Sequence, residues 1–419
     1  MNKYLYPADI YLPDFNKIDA DKWACVACDQ YTSERDYWRA LRAFVGDDPS
    51  TLSLMLPEAY LDLTDMAVPK INAEMRKYLD SGLLNCYPDA MIYLERTQSD
   101  GRVRRGIVGA VDLEEYDFNK GAQTYIRATE GTVLERIPPR VAIRRDAPIE
   151  LPHIMILIDD PDKTVIEPIA SKARRYNKAY DLDLMGGGGH ATGYFMDKAD
   201  AESVNYALAS LGTREKMQEK YGVDAAPLLF AIGDGNHSLA TAKTLYEEIK
   251  AEIGAHAARE HPARYALCEI VNLHDDALEF EPIYRVLFGV DPERFVKDFE
   301  GYLSTLSGKA DEQSFELLWK DGERKLTAKS PVAQLAVGTV QAFLDEYAEQ
   351  NGIEVDYVHG VDSVKNLCEQ SDTLGILFDG MGKDMLFKTV ICDGALPRKT
   401  FSMGHAQDKR YYIECRRIK

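Results

Sequence analysis

The sequence of 419 residues lacks any apolar run long enough to cross a bilayer. Its longest apolar segments are short and strand-like, for example the residues from Ile154 to Ile158. The first residues, from Met1 to Pro7, also lack the apolar core of a signal peptide. We therefore expect a soluble cytoplasmic protein that has no membrane partner.

Positive charge is scarce as well. The chain carries 69 acidic and 50 basic residues, which gives a formal net charge of −19. Such a charge repels a phosphate backbone unless a strong local basic patch reverses the field. The basic clusters, such as Arg102 to Arg105, are short and lack interleaved aromatic residues. Nucleic acid is therefore not an expected partner.

Cysteine is too rare and too scattered for a secreted disulfide framework, since the seven cysteines are an odd number without regular spacing. Only Cys25 and Cys28 have the spacing of a redox or metal pair, and no second pair follows at zinc-ribbon distance. We expect reduced thiols, and we interpret the run from Trp23 to Cys28 as a buried strand.

The remaining composition is that of an ordinary globular protein, with 45% apolar and 28% charged residues. The length exceeds what one hydrophobic core usually serves. Apolar strand-like runs alternate with helical patterns, which predicts an α/β protein with mixed sheets, flanking helices and two or three lobes. The predicted units are an N-terminal α/β unit over 1–150, a central α/β unit over 151–290 and a C-terminal α/β lobe over 291–419. Asp100-Gly101 between two apolar runs predicts a β-hairpin, and a helical stretch is predicted near 199–220. A final strand near 411–415 is expected to return to an earlier sheet.

The most informative segment runs from Leu228 to Lys243, where an apolar strand leads through a small polar loop into a helix. Gly233 and Gly235 allow backbone amides to approach a ligand closely. The N-terminus of the helix presents unpaired N–H groups and the positive end of the helix dipole, which together suit an anion.

Four polar side chains are displayed within five residues of this loop: Asp234, Asn236, His237 and Ser238. A tight turn capped by Asn236 or Ser238 would explain the glycines and one polar residue. It explains Asp234 and His237 together less well, so we predict a ligand site.

A second loop contains four consecutive glycines, followed by His190 and Thr192. A glycine run can form a nest of N–H groups for phosphate or carboxylate, so Gly187, Gly188 and His190 are candidate binding residues. Neither the Rossmann nor the Walker pattern is present. A flexible lid or hinge is the alternative interpretation.

Several residues could carry chemistry. Asp234 and His237 could act as base and orienting group, or Asp234 could hold a divalent ion. Glu130 lies between arginines and either faces an anionic ligand or forms an internal ion pair. A metal site built from His190, Asp234, His237 and His274 is a further hypothesis.

An ordered series of motifs resembles the uncharacterised bacterial and archaeal family called domain of unknown function 1015. The motifs extend over almost the whole chain. They are Val45-Gly-Asp-Asp-Pro-Ser-Thr-Leu, Leu56-Pro-Glu-Ala-Tyr, Arg127-Ala-Thr-Glu-Gly-Thr, Gly233-Asp-Gly-Asn-His, Glu281-Pro-Ile-Tyr-Arg and Leu396-Pro-Arg-Lys.

The usual Asp-Gly-His-His-Arg signature of that family resembles the phosphate-binding loop of the ParB and sulfiredoxin-like superfamily, which includes free-serine kinases. The resemblance implies a core of that fold. Asp234, Gly235 and His237 match the signature, whereas Asn236 and Ser238 replace its first histidine and its arginine. The loss of the arginine removes a phosphate contact, which Arg140, Lys243 or Arg398 would have to supply.

The resemblance thus implies a protein that binds a nucleotide or a phosphorylated small molecule, with ATP or ADP and Mg²⁺ as cofactors. A phosphotransferase acting on a small hydroxylated metabolite would use Asp234 as base or ion ligand. His237 would donate a hydrogen bond to the phosphate, and Glu130 would be a second carboxylate. The glycine loop would close over the substrate. A metal-assisted hydrolase and a non-catalytic ligand-binding or regulatory protein are the alternatives.

Overall fold

A computed structural model describes residues 3–419, with strands and helices alternating along most of the chain. The strands are β1 (Ala8–Pro13), β2 (Leu84–Ala90), β3 (Ile92–Thr97), β4 (Val103–Asp112), β5 (Tyr116–Asp117), β6 (Ile126–Arg127), β7 (Ile149–Glu150), β8 (Met155–Ile158), β9 (Lys178–Asp183), β10 (His190–Phe195), β11 (Phe230–Asp234), β12 (Tyr265–Asn272), β13 (Phe280–Phe288), β14 (Gln313–Trp319), β15 (Gly322–Ala328), β16 (Glu354–His359), β17 (Thr373–Phe378), β18 (Phe401–Met403) and β19 (Cys415–Arg417). The helices are α1 (Arg35–Val45), α2 (Thr64–Asp80), α3 (Ile137–Arg145), α4 (Glu167–Ala170), α5 (Lys198–Leu211), α6 (Arg214–Tyr221), α7 (Asn236–Ile253), α8 (Ala255–Ala258), α9 (Pro292–Thr305), α10 (Ala336–Asn351), α11 (Val361–Leu367) and α12 (Lys383–Asp393).

The chain folds into two compact units. The first unit contains the segments up to Ala128, Thr132–Leu278 and His405–Lys419, and the second contains Thr129–Gly131 and Glu279–Gly404. The sheets are mixed or antiparallel and helices accompany them in both units, which confirms the predicted α/β class.

The first unit is built on a nine-stranded mixed sheet with the order β5, β6, β11, β8, β12, β4, β3, β10, β9. Successive residues of a strand point to opposite faces, and each face carries its own hydrophobic core. Ile92 and Leu94 of β3 belong to one core, whereas Tyr93 between them belongs to the other. Leu239 of α7 packs into the second core, which holds that helix against the sheet.

A smaller sheet of the same unit joins the two ends of the chain. Its order is β2, β1, β19, β7, so the last strand of the protein pairs antiparallel with the first. This pairing draws the C-terminal residues into the core of the first unit, where Tyr411, Tyr412 and Ile413 are buried.

This division differs from the predicted segments 1–150, 151–290 and 291–419. The hairpin of β3 and β4 pairs on one side with β10 and on the other with β12, so strands from the first two predicted segments share one sheet. Strand pairing links positions far apart in the sequence, which a scan for local composition does not detect.

The second unit is built on a six-stranded sheet with the order β15, β14, β17, β13, β16, and β18 pairs with β13. Helices α9 to α12 belong to this unit. Its core includes Phe295 and Phe299 of α9, which are fully buried.

Three local predictions have different outcomes. The Asp100-Gly101 hairpin is confirmed, since β3 and β4 pair around it. The helix predicted over 199–220 is two helices, α5 and α6, because Gly212 ends the first. The run from Trp23 to Cys28 is not a strand: it contains only an isolated bridge between Val26 and Tyr411, although Trp23 to Ala27 are buried.

Within residues 3–419, none of the helices combines the length and the apolar character needed to cross a bilayer.

Candidate functional site

The strand, loop and helix predicted around Gly233 are present as β11 and α7. Strand β11 ends at Asp234, and Gly235 occupies the N-cap of α7 with a φ of 82°, in the left-handed region that favours glycine. A Cβ on Gly235 would lie 3.1 Å from the Cα of Ile154, and one on Gly233 would lie 2.9 Å from the Cγ of Leu157. Both glycines are therefore needed for the loop to pack against β8 and the residues that precede it.

The start of α7 differs from the alternative in which Asn236 or Ser238 caps the helix. Asn236 and Ser238 lie within the first turn, and the N-cap Gly235 has no side chain to accept a hydrogen bond from the helix. The first N–H groups of an α-helix have no partner within that helix. The 18-residue helix α7 therefore presents its positive dipole end and its first-turn amides at the loop.

His237 lies in the first turn of α7, and its contacts determine the protonation state of its ring. The backbone N–H of Val133 donates to its Nε2 at 3.3 Å. Burial, followed by the charges of Arg140 and Arg136, lowers the pKa of His237 below its ordinary value of 6.5. The ring is thus neutral at pH 7, and with Nε2 as an acceptor the proton is on Nδ1, which can donate to a ligand oxygen.

The hydroxyl of Thr132, next to this contact, makes no hydrogen bond within the described residues. Thr132 directly precedes Val133, and its Oγ1 is buried without a hydrogen-bond partner among residues 3–419. Buried hydroxyls are normally paired, so an unpaired one beside His237 is consistent with a polar ligand at this position.

A buried histidine lies on the other side of the first turn. The Nε2 of His153 is 2.8 Å from the Oγ of Ser238, and its Nδ1 is 2.9 Å from the hydroxyl of Tyr412. The Oδ2 of Asp29 lies 3.6 Å from the same Nε2. Burial lowers the pKa of His153, but the carboxylate of Asp29, followed by smaller effects of Asp234 and Glu58, raises it overall above 6.5.

Two cations lie close to the loop. Arg140 of α3 forms an ion pair with Glu58 and is near enough to His237 to lower the pKa of that histidine. The Nζ of Lys409 lies 3.5 Å from the Oδ2 of Asp234. Both pairs are largely buried, with side-chain exposures between 14% and 18%.

A cavity of about 140 Å³ borders the same first turn of α7. Ser238 and Thr241 line it from α7, and Arg140 and Ile143 line it from α3. Most of the remaining lining is apolar, including Leu54, Leu56, Met75 and Leu151. The loop therefore places the N-terminal end of α7 next to a mostly apolar chamber.

The second predicted loop lies elsewhere on the sheet. His190 is on β10, and the sheet places β8, β12, β4 and β3 between β10 and β11. Its Nδ1 is 2.7 Å from the Oδ1 of Asp183, and its Nε2 is 2.7 Å from the Oδ1 of Asp181. Burial lowers the pKa of His190, but these two carboxylates raise it overall. The structure thus does not bring His190 together with Asp234.

Close packing accounts for part of the glycine run. A Cβ on Gly188 would lie 2.2 Å from the hydroxyl oxygen of Tyr411, and one on Gly189 would lie 2.2 Å from the carbonyl oxygen of Thr97. Gly187 has a φ of 75°, with no atom within 4 Å of such a Cβ. The run forms the turn of the β9–β10 hairpin, and its predicted role in binding stays a prediction.

The other predicted residues have separate positions. Glu130 belongs to the second unit, where its backbone forms a β-bridge with Leu396. Arg398, also in the second unit, pairs with Asp345 at 3.0 Å. Lys243 donates to the carbonyl of Leu113 at 2.9 Å. Of the three cations predicted to replace the signature arginine, Arg140 is the one whose charge acts on His237.

The residues of the hypothetical metal site do not assemble. The Nε2 of His274 donates to the Oδ1 of Asp159 at 2.6 Å. His190 contacts Asp181 and Asp183, and His237 contacts Val133. Over the described part of the chain, no group of three or more His, Cys, Asp or Glu side chains is arranged to hold a metal ion. The geometry therefore gives no support to the metal-assisted hydrolase.

Sequence reasoning missed several residues that surround the loop. Asp29, Glu58, His153, Lys409 and Tyr412 were not predicted as site residues, although they contact Asp234, Ser238, Arg140 or one another. One signal pointed to Glu58, since it lies within the motif Leu56-Pro-Glu-Ala-Tyr. The sequence has no comparable local signal for the other four residues.

Comparison with known families gives one match. The family model described as protein of unknown function DUF1015 matches residues 13–347. No curated protein matches the sequence.

Solved structures give only distant likenesses. A free serine kinase in complex with AMP is 11% identical, with a TM-score of 0.38, over 73% of this chain and 90% of the other. A conserved hypothetical protein from Pyrococcus furiosus is 11% identical, with a TM-score of 0.34, over 73% and 94%. A C-terminally truncated SbnI from Staphylococcus aureus is 8% identical, with a TM-score of 0.34, over 71% and 82%. Likenesses at this level do not assign a function.

Proposed function

Because the chain belongs to the DUF1015 family of proteins of unknown function, we propose its function from the site itself. The loop from Gly233 to Ser238 binds the phosphates of a nucleotide, and the protein transfers a phosphoryl group from ATP to the hydroxyl of a small metabolite.

One observation carries this proposal: the N-terminus of α7 has no side-chain cap and meets a neutral histidine and a cation. Helix N-termini bind phosphate through their amides and the helix dipole. His237 adds an Nδ1–H donor, and Arg140 adds a guanidinium that suits phosphate oxygens. In this proposal Arg140 supplies the guanidinium that the signature has at the position of Ser238.

The proposed reaction needs a base near the acceptor hydroxyl, and Asp234 is suited to that role. The acceptor oxygen forms a bond to the γ-phosphorus, the bond from that phosphorus to ADP breaks, and the hydroxyl proton goes to the carboxylate. Lys409, which pairs with Asp234, would help to neutralise the phosphates. Mg²⁺ would be held by phosphate oxygens and at most one or two carboxylates, for which Asp234 is a candidate.

The proposal does not depend on the other predicted residues. Glu130 as a second carboxylate, and Gly187, Gly188 and His190 as parts of a closing loop, stay predictions. The close contact with Tyr411 favours a structural role for Gly188.

The binding half of the proposal is tested by titration calorimetry with ADP, with and without Mg²⁺. His237→Gln should weaken ADP binding about tenfold or more, because a hydrogen bond to a charged group contributes roughly 1.5–3 kcal/mol and 1.4 kcal/mol corresponds to a factor of ten. His256→Gln is the matched control, since His256 is exposed on α8. Failure of the wild-type protein to bind ADP, ATP or AMP would overturn the proposal.

The transfer half is tested by following ADP release from ATP in the presence of a panel of small alcohols. Asp234→Asn should abolish alcohol-dependent ADP release while ADP binding persists. If ADP binds but no alcohol stimulates its release from ATP, the phosphotransferase assignment fails and the loop is a nucleotide-binding site without that activity.

A further inference from the structure

We propose that the cavity beside Ser238 binds an uncharged alcohol with a compact hydrocarbon body, and that this alcohol is the acceptor in the reaction proposed above. Only the role of this alcohol as phosphoryl acceptor rests on the proposed function. Binding of such a molecule is a property of the cavity and can be tested without a nucleotide.

The first support is size. A cavity of about 140 Å³ is close to the roughly 150 Å³ chamber that accepts a benzene molecule in an apolar protein core. It therefore accommodates one ring or a short branched chain, of about six to eight non-hydrogen atoms. The volume therefore suits a ligand that is smaller than a nucleoside.

The second support is the apolar lining. Leu54, Met55, Leu56, Met75 and Ile149 are buried side chains that face the chamber together with the half-buried Leu151. Transfer of hydrocarbon from water into such surroundings is favourable. A small polar metabolite such as a free amino acid would gain little from these contacts.

The third support is that the charges that line the cavity away from the proposed phosphate site are already paired. Arg144 pairs with Glu150. Arg140, which pairs with Glu58, is assigned to the nucleotide phosphates. The Nε2 of His153 lies 3.6 Å from a carboxylate oxygen of Asp29. A charged ligand would enter an apolar chamber without an unpaired counter-charge, which is unfavourable. The lining thus selects against carboxylates and ammonium groups.

The fourth support is a hydroxyl contact at the end nearest the loop. The Nε2 of His153 lies 2.8 Å from the Oγ of Ser238, and when that nitrogen carries a proton it donates to the Oγ. The hydroxyl proton of Ser238 is then free to donate to a ligand oxygen. This contact places the alcohol oxygen at the first turn of α7, beside the amides proposed to hold phosphate.

The test is calorimetry of the full-length protein with three phenyl probes of similar size that differ in charge: benzyl alcohol, benzylamine and benzoate. Benzyl alcohol should bind, and the two charged probes should bind at least about tenfold more weakly. Equal binding of the three probes, or no binding of benzyl alcohol, overturns the inference.

Two variants locate the binding. Ile143→Trp fills the cavity from α3 and should weaken benzyl alcohol binding at least about tenfold. Ala142→Trp adds the same side chain on the exposed side of α3 and should leave binding unchanged. If Ile143→Trp does not fold, judged by circular dichroism, Leu151→Phe replaces it as the filling variant. Unchanged binding in a folded filling variant overturns the inference.

ADP binding measured on the same samples separates the two proposals. Benzyl alcohol binding without ADP binding supports the cavity ligand and overturns the phosphotransferase. ADP binding without benzyl alcohol binding supports the nucleotide site and overturns the cavity ligand.

Discussion

His153 shows how a single buried residue depends on neighbours that its own segment does not contain. Its ring contacts Ser238 of α7, Tyr412 near the C-terminus and Asp29 near the N-terminus. Together these partners hold the ring beneath the first turn of α7. The net rise of its pKa above 6.5 makes its contribution to stability depend on pH.

We expect His153→Gln to lower the free energy of unfolding by about 1–3 kcal/mol at acidic pH, because buried hydrogen-bond partners lose their contacts. Since the folded-state pKa is raised, the stabilisation by His153 is complete below pH 6.5 and is lost as the pH rises through the folded-state value. Urea unfolding of both proteins from about pH 6 to pH 9 measures this difference. A difference that grows with pH, or that Asp29→Asn does not reduce, would contradict the assignment.

Arg140 and Arg145 lie on the same helix, α3, and form a matched pair for a second prediction. Arg140→Met should weaken ADP binding about tenfold or more, because a charge-assisted contact to phosphate is lost. Arg145 pairs with Glu248 at 2.8 Å on the surface, with side-chain exposures of 54% and 41%. Arg145→Met removes the same charge and should change the affinity less than about twofold. Similar losses in both variants would mean that Arg140 acts only through the net charge.

At the scale of elements, the turn between β11 and α7 depends on backbone conformation and on packing at once. Gly235 and Gly222 both have left-handed φ angles, of 82° and 72°, at helix ends. They differ in their surroundings: a Cβ on Gly235 would meet Ile154 at 3.1 Å, whereas a Cβ on Gly222 would meet no atom within 4 Å. Substitutions at Gly222 and Gly235 therefore distinguish the cost of the left-handed backbone from the cost of the close contact with Ile154.

Gly222→Ala should lower the free energy of unfolding by about 1–2 kcal/mol, the usual cost of a left-handed backbone for a residue with a Cβ. Gly235→Ala should lower it further and should also weaken ADP binding, since the loop must shift away from Ile154. Denaturant unfolding and calorimetry measure the two effects. Equal destabilisation by both substitutions would contradict this prediction, because it would mean that Ile154 can move away from the new Cβ at no cost in stability.

Elements whose signals are local could be predicted from the sequence. Strand β11, helix α7 and the β3–β4 hairpin follow from apolar periodicity and from glycine at the turns. The first residue of α7 was less predictable, because Asn236 and Ser238 are good N-caps by type and yet lie inside the helix. The left-handed φ of 82° at Gly235 puts the N-cap at that residue and Asn236 in the first turn.

At the scale of the molecule, the C-terminal residues complete the first unit. Strand β19 lies between β1 and β7, and the Nε1 of Trp23 donates to the carbonyl of Ile413 at 3.0 Å. Arg410 pairs with Glu414 at 2.5 Å and with Glu269 at 3.2 Å inside the core. The same stretch supplies Lys409 and Tyr412 to the candidate site.

Deletion of residues 405–419 should therefore abolish the cooperative unfolding of the first unit and ADP binding with it, because β1 and β7 lose their common partner strand. Deletion of Lys419 alone is the control, since it removes only an exposed pair with Asp146. Near-ultraviolet circular dichroism and thermal unfolding distinguish the two outcomes. A truncated protein that keeps a sharp transition and binds ADP would contradict this dependence.

The sequence by itself determined the α/β class, the strand, loop and helix at Gly233–Ser238 and the family motifs, because each depends on residues close together in the chain. It did not determine what surrounds that loop. Ser238 and His153 are 85 positions apart, Arg140 and Glu58 are 82, and His237 and Val133 are 104. Strand pairing and helix packing alone bring such residues together, since no local propensity relates their positions. The tertiary structure therefore decided which cation, which histidine and which cavity the loop has beside it.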